Sequence, residues 1–364
     1  MLGCAIILED HCGELAPPRP LAAASTRRIG AQRVVLDNMS EPYSTQTLRR
    51  APVEHNAPYR APGDATGLRI LVTGANAGIG FWTSLQLAQR GAEVIMACRN
   101  EAKAQAAASA ILARVPNAIL RHVRLDVSSL ASVANVVEEL GTRERLDVLI
   151  ANAGMVHAPR TRQLSVDGLE LVAATNYFGH FALITGLLPA LERAAAARVV
   201  TLGSLATLLV GRPQLEDAQL VRNYSAWRAY AQSKVMTQSF GFELDRRLQL
   251  EKSSIRALAA HPGYSISGRT AVIDGVNEPR IGKRALALTQ GAFTQGKNQG
   301  AWPVVRAALD AQAFSEGGPV FYGPRGWVRG GPVRTRPASI TTDRANAELI
   351  WEAAESATGI RLFG

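Results

Sequence analysis

Two side chains four residues apart, Tyr230 and Lys234 in Tyr230-Ala231-Gln232-Ser233-Lys234, have the types and the spacing for proton exchange. In a helix, positions i and i+4 lie on one face. A phenol titrates at about 10, and a neighbouring ammonium favours its anion, so such a pair could give and take a proton near neutral pH. The spacing alone is common, and a solvated surface pair satisfies it equally. Its meaning depends on what else the chain places beside it.

A second group is rich in glycine. Thr73-Gly74-Ala75-Asn76-Ala77-Gly78-Ile79-Gly80 follows an apolar run at 69–72 and precedes a helical stretch at 81–90. A strand entering a helix through glycines lets the backbone approach a pyrophosphate, whose charge the free N–H groups and positive helix end hold. A ligand-free tight turn needs only one glycine. Three, at Gly74, Gly78 and Gly80, imply close backbone approach. Ser204 in Leu202-Gly203-Ser204 ends another apolar run, at the carboxyl end of an expected parallel strand, where α/β proteins gather their sites. Asn176 in Thr175-Asn176-Tyr177-Phe178-Gly179-His180 interrupts an otherwise helical stretch, where a poor helix former needs a reason.

Together these motifs resemble the short-chain dehydrogenase/reductase family, whose classical members carry Thr-Gly-x-x-x-Gly-x-Gly with this spacing. The resemblance spans roughly 68–325. It implies an α/β, Rossmann-type doubly wound parallel sheet in a single domain, and hydride exchange between a nicotinamide cofactor and a carbonyl or alcohol. Tyr230 would then be the acid/base, and Lys234 would lower its pKa and hold the nicotinamide ribose. Ser204 would steady the substrate oxygen, while Asn176 would kink its helix and hold a water in a relay to Lys234. The implied cofactor contacts are Thr73, Gly74, Asn76, Gly78, Ile79, Gly80, Arg99, Asp126, Asn152, Ala153, Gly154, Tyr230, Lys234, Pro262 and Gly263. Arg99 closes the second strand in Ala97-Cys98-Arg99-Asn100. An acidic residue there would bind a ribose 2′-hydroxyl, whereas an arginine could clamp a 2′-phosphate or simply be solvated. NADP(H) is therefore expected over NAD(H).

The chain departs from the family pattern in two places. Ala151 precedes Asn152-Ala153-Gly154 where the family has a first Asn, and Gly203 replaces the first of two serines. The long segment between Ser204 and Tyr230, with Ala97–Asn100 and His261-Pro262-Gly263-Tyr264, is similar to the branch containing retinol dehydrogenases and protochlorophyllide-reductase-like oxidoreductases. That branch implies a lipophilic ketone, aldehyde or alcohol as substrate, covered by a lid over 264–314 containing Ile266, Val272, Ile273, Phe293 and Trp302. Kinship also implies a homodimer or homotetramer. A dinucleotide sensor or scaffold without catalysis is the alternative on the same fold. An isomerase or dehydratase would suit the glycine spacing of the extended members better.

The elements that must position these residues are legible as β-rich runs alternating with alanine-rich helical stretches, the pattern of βαβ units. Strands are expected at 69–72, 93–96, 121–125, 147–150, 198–202 and 255–258, a seventh at 319–322, and a last helix near 345–358. Residues 67–325 form the expected catalytic domain, and 326–364 a tail carrying that helix. Residues 1–66 hold seven of the eighteen prolines and no sustained period, so disorder is expected there, with Met39 as the expected true start. The segment lacks the features of a secretory signal, and a transit peptide is the weaker alternative to the Met39 start, because seven acidic residues are unusual in one.

Composition narrows the remaining classes. The chain has 364 residues, 47% of them apolar, enough for one large core. With mean hydropathy of +0.02 it is read as lacking a charge-free stretch of membrane-spanning length, so no membrane span is expected. The net charge of +10 is scattered and without aromatic interleaving, against a nucleic-acid partner. Cys4, Cys12 and Cys98 are too few for a disulfide framework. The expected place is the cytoplasm and the expected partner a small molecule. His157, His180 and His261 lack metal-ligand spacing.

Overall fold

The computed structural model describes residues 63–141, 144–315 and 317–363. The disorder and the Met39 start expected of the N-terminal segment concern residues outside these, apart from 63–66. The described chain runs β1 (Arg69–Thr73), α1 (Gly78–Ala88), β2 (Glu93–Cys98), α2 (Glu101–Leu112), β3 (Ile119–Arg124), α3 (Leu130–Gly141) and β4 (Val148–Ala151). Next, α4 (Leu171–Ala173) passes through a π-turn at Ala174–Phe178 into α5 (Gly179–Glu192). Then come β5 (Arg198–Leu202), α6 (Ala226–Leu250), β6 (Arg256–Ala260), β7 (Ser265–Ile266), α7 (Ile281–Thr289) and β8 (Gln295–Gly296). The last elements are α8 (Lys297–Gly300), α9 (Trp302–Leu309), β9 (Phe321–Pro324), β10 (Pro332–Arg334) and α10 (Arg344–Thr358).

The main sheet has eight strands in the order β10-β9-β6-β5-β4-β1-β2-β3, parallel throughout except where β10 turns back on β9. About seven strands were expected. The eighth comes from the Gly/Pro-rich stretch after β9, and an edge position tolerates Pro332, which has no N–H to donate. The chain reverses its direction of winding between β1 and β4, so the loops leaving these two strands open a crevice at their carboxyl ends.

Side-chain alternation along the strands feeds two cores. Leu71, Ile95, Leu149 and Val199 face α3, α5, α6 and α10, while Ile70, Val72, Val94 and Ile150 face α1, α2 and α9. Within residues 326–364, expected as a tail carrying a final helix, Ile350, Trp351 and Ala354 of α10 lie in the first core. The reading of charge-free stretches also needs correction, because residues 171–191 contain no Asp, Glu, Lys or Arg. The helix Leu171–Glu192 is long and apolar enough to cross a membrane by length and composition, but 78% of its apolar window is buried against the protein. It packs between the sheet and α3, so its hydrophobicity is used in the core.

Candidate active site

Tyr230 lies on the second turn of α6, whose start is fixed by Ser225 accepting a hydrogen bond from the Arg228 N–H at 3.2 Å. Its hydroxyl is 3.1 Å from Ser204 Oγ. Ser204 stands just beyond β5 and also accepts from the Ala206 N–H at 3.1 Å, which orients its oxygen toward α6. One turn after Tyr230, the buried Lys234 donates from Nζ to the Leu202 carbonyl at 2.8 Å. Desolvation lowers its pKa to about 8. The Tyr230 phenol is pushed above its ordinary value by burial, with the Ser204 hydrogen bond acting the other way. The expected depression of the phenol by Lys234 is therefore absent in this arrangement, where the ammonium is turned to a backbone carbonyl.

Asn176 sits inside the π-turn, so the expected irregularity of its helix takes the form of a widened turn. Its Oδ1 accepts from the Met155 N–H at 2.7 Å, and its Nδ2 donates to Ser233 Oγ at 2.8 Å and to the Met155 carbonyl at 3.2 Å. Asn176 thus ties the loop after β4 to α6 one residue before Lys234. A Cβ on Gly154 would lie 3.1 Å from Asn176 Oδ1 and 3.6 Å from Lys234 Nζ, so a side chain at 154 would crowd both.

On the neighbouring strand, Thr73 Oγ1 accepts from the N–H groups of Asn152 and Ala153 at 2.9 and 2.8 Å, and Asn152 Nδ2 donates to the Thr73 carbonyl at 2.7 Å. These bonds join the ends of β1 and β4 without the amide that Ala151 lacks. His180 extends the link: Nδ1 faces the Asn176 carbonyl at 3.2 Å and Nε2 faces Thr73 Oγ1 at 2.9 Å. A carbonyl only accepts, so Nδ1 carries the proton and Thr73 donates to Nε2. Sequence reading gave His180 no specific part, although its i+4 spacing from Asn176 put both on one face. At Gly203, a Cβ would lie 2.6 Å from Gln238 Oε1, so a serine there would require the Gln238 side chain to move.

The glycine turn divides into two kinds of position. A Cβ on Gly80 would meet the Gly74 carbonyl oxygen at 2.3 Å and Asn152 Nδ2 at 2.5 Å, so this glycine serves the turn's own packing. Gly78 instead has φ +61°, and its Cβ would meet only Lys297, with Nζ at 3.7 Å and Cδ at 4.0 Å. The N-cap of α1 is Ala77, which supplies no side-chain oxygen, and the first turn has no acidic residue. The first N–H groups and the positive end of α1 thus face an anion-binding position, and these residues fit a dinucleotide phosphate. Asn76 and Ile79 complete the turn.

Arg99 projects from the end of β2 with its side chain 75% exposed, and Nη1 is 3.4 Å from Asp126 Oδ2. Burial raises the Asp126 carboxyl, but hydrogen bonds from Ser128 and the Arg99 charge outweigh it and hold the group below its ordinary value. Pro262 and Gly263 follow β6, where the Pro262 carbonyl accepts from Ser265 Oγ and Gln295 Nε2 at 2.7 and 2.9 Å. The lid expectation is corrected in part: α9 packs Val304 and Val305 under the sheet, and Ile273 is buried in the same core. Val272 and Phe293 are exposed.

Comparison with known proteins is consistent with this geometry. Residues 69–274 match the family model described as short chain dehydrogenase. Retinol dehydrogenase 13 of Homo sapiens is 40% identical over 211 residues, which cover 56% of this chain and 61% of that relative. Over this relative and retinol dehydrogenase 12 of Mus musculus, the chain spans about three fifths of the relative's length, 61% and 62%. Retinol dehydrogenase 14 of Mus musculus is 31% identical over 310 residues, covering 82% of this chain and 88% of the relative. A crystal structure of a protein from Mycobacterium Paratuberculosis superposes with a TM-score of 0.67 at 34% identity, covering 84% of this chain and 99% of the other.

Proposed function

Because the chain belongs to the short-chain dehydrogenase family, we propose that it is an NADP(H)-dependent oxidoreductase interconverting a carbonyl and an alcohol on a lipophilic substrate. The observation that carries this reading is the Tyr230 hydroxyl at 3.1 Å from Ser204 Oγ, one helical turn from the buried Lys234 ammonium. Bound at the glycine turn, the nicotinamide would supply or accept the hydride. Tyr230 holds the proton: raised by burial, its phenol rests protonated and can donate to a carbonyl oxygen, or take the proton back from an alcohol. Ser204 hydrogen-bonds that oxygen as charge develops on it. Lys234, held one turn away by the Leu202 carbonyl, would have to turn toward Tyr230 to offset the negative charge left there after donation, and Asn176 and His180 hold the helices that carry the pair. Arg99 favours NADP(H), because its exposed guanidinium is free to turn from Asp126 to a 2′-phosphate. The lipophilic substrate follows the retinol dehydrogenase relatives.

The reading is tested by cofactor oxidation against a panel of lipophilic aldehydes and ketones, comparing wild type with Tyr230→Phe. The variant is expected to lose a factor of roughly 10²–10⁴ in turnover, the usual size of one acid/base contribution. Full activity in the variant would refute the mechanism. Binding of NADPH without turnover of any substrate by the wild type would favour a dinucleotide sensor instead.

A further inference from the structure

The segment between β6 and α9 carries a cation that the substrate chemistry does not use. Lys297 opens α8, and its backbone N–H donates to the buried Thr270 hydroxyl at 2.8 Å. Its side chain reaches back across the glycine turn, with Nζ 3.7 Å from the place a Gly78 Cβ would occupy. The position is braced. Gln86 Nε2 of α1 donates to the Asn298 carbonyl at 2.8 Å, and a Cβ on Gly300 would lie 2.8 Å from Ile79 Cδ1. The two-residue ladder of β7 with β8 joins α8 to the turn at Pro262 and Gly263.

The electrostatics of this lysine are one-sided. It is half-buried and has no carboxylate partner among the described residues. Burial and then the nearby Lys283 ammonium both disfavour its charge. The positive end of α1 adds a third unfavourable contribution, and an anion placed between the ammonium and the helix N-terminus would relieve all three.

We infer that Lys297 is a phosphate-binding residue of the nucleotide site, pairing with the dinucleotide pyrophosphate over Gly78 and tying residues 264–300 to cofactor occupancy. The inference rests on the functional reading above. Arg99, the residue placed for a 2′-phosphate, stands at the end of a different strand, so the two cations serve different phosphates. The same segment is tied to the turn after β6 by the β7–β8 ladder and by Gln295 Nε2 donating to the Pro262 carbonyl at 2.9 Å.

The test is direct binding of NADPH and of NADH to the full chain by calorimetry, for wild type, Lys297→Met and Lys297→Arg. Loss of one charge-assisted contact is expected to weaken both dinucleotides by roughly tenfold in the Met variant. The Arg variant is expected to recover most of that loss. Hydrogen exchange supplies a second readout: NADPH should protect the amides of 264–300 in wild type and in the Arg variant, and protect them less in the Met variant. Equal affinity of wild type and Lys297→Met overturns the inference and leaves the functional reading standing. Weakening of NADPH alone overturns it too, because it would assign Lys297 to the 2′-phosphate. A wild-type chain that binds neither dinucleotide overturns the functional reading and this inference with it.

Discussion

At the scale of single residues, the site works through side chains whose partners are mostly backbone. Lys234 is held by a carbonyl and Ser204 by an N–H, so both are oriented before any substrate arrives. Arg99 is the exception, an exposed side chain whose ion pair with Asp126 is long and of small worth. The proposed preference for NADP(H) rests on that freedom. Replacing Arg99 with Asp exchanges attraction for repulsion at a 2′-phosphate, and the ratio of NADPH to NADH affinity is expected to fall at least about tenfold. Calorimetric titration with both cofactors measures it, and an unchanged ratio would remove Arg99 from the specificity argument. Tyr230, Lys234, Ser204 and the glycines were legible in the sequence because their spacings are local. The turning of Lys234 toward Leu202 was not, because it depends on β5 ending beside α6.

At the scale of elements, the ends of β1 and β4 and the widened turn before α5 are locked through Thr73, His180 and Asn176. The lock requires a neutral imidazole. Burial holds the His180 pKa at about 4, against an ordinary value of 6.5, and His261 is depressed to about 4 by the same cause. Above pH 6.5 folded and unfolded chains both carry neutral histidine, so this part of the stability is fully present. Between pH 6.5 and about 4 the unfolded chain binds protons that the folded chain refuses, and stability falls with pH. The slope is about 1.4 kcal/mol per pH unit for each histidine. Urea midpoints measured from pH 7.5 to 5 are expected to drop, and to drop less steeply in His180→Gln. A variant with the wild-type slope would show that His180 does not titrate this way.

At the scale of the whole molecule, the C-terminal helix closes the face of the sheet that carries α6. Trp351 packs its ring 5.5 Å from Phe181 and 5.6 Å from Phe240, centroid to centroid, and the Arg247 guanidinium lies 4.1 Å above it. Phe240 and Arg247 belong to α6, the helix of Tyr230 and Lys234, so α10 backs the site from behind. Trp351→Ala is expected to cost about 3–5 kcal/mol, the usual range for emptying a large aromatic position. Denaturant unfolding followed by circular dichroism checks it, and a loss under about 1 kcal/mol would mean that α10 only decorates the core.

The sequence by itself determined the βα alternation, the glycine turn after β1 and the Tyr230/Lys234 pair, because each rests on periodicity or on spacing within one element. Only the tertiary structure decided which residues those elements bring together. Gly80 proved to be a packing glycine and Gly78 the open one, since the difference lies in what approaches each Cβ from Asn152 and Lys297, far along the chain. His180 acquired its partner Thr73 across 107 positions, and Lys297 reached the nucleotide turn from a segment expected to serve the substrate. β10 joined the sheet for the same reason. Short elements carry little periodic signal, and their place is set by the surfaces they bury.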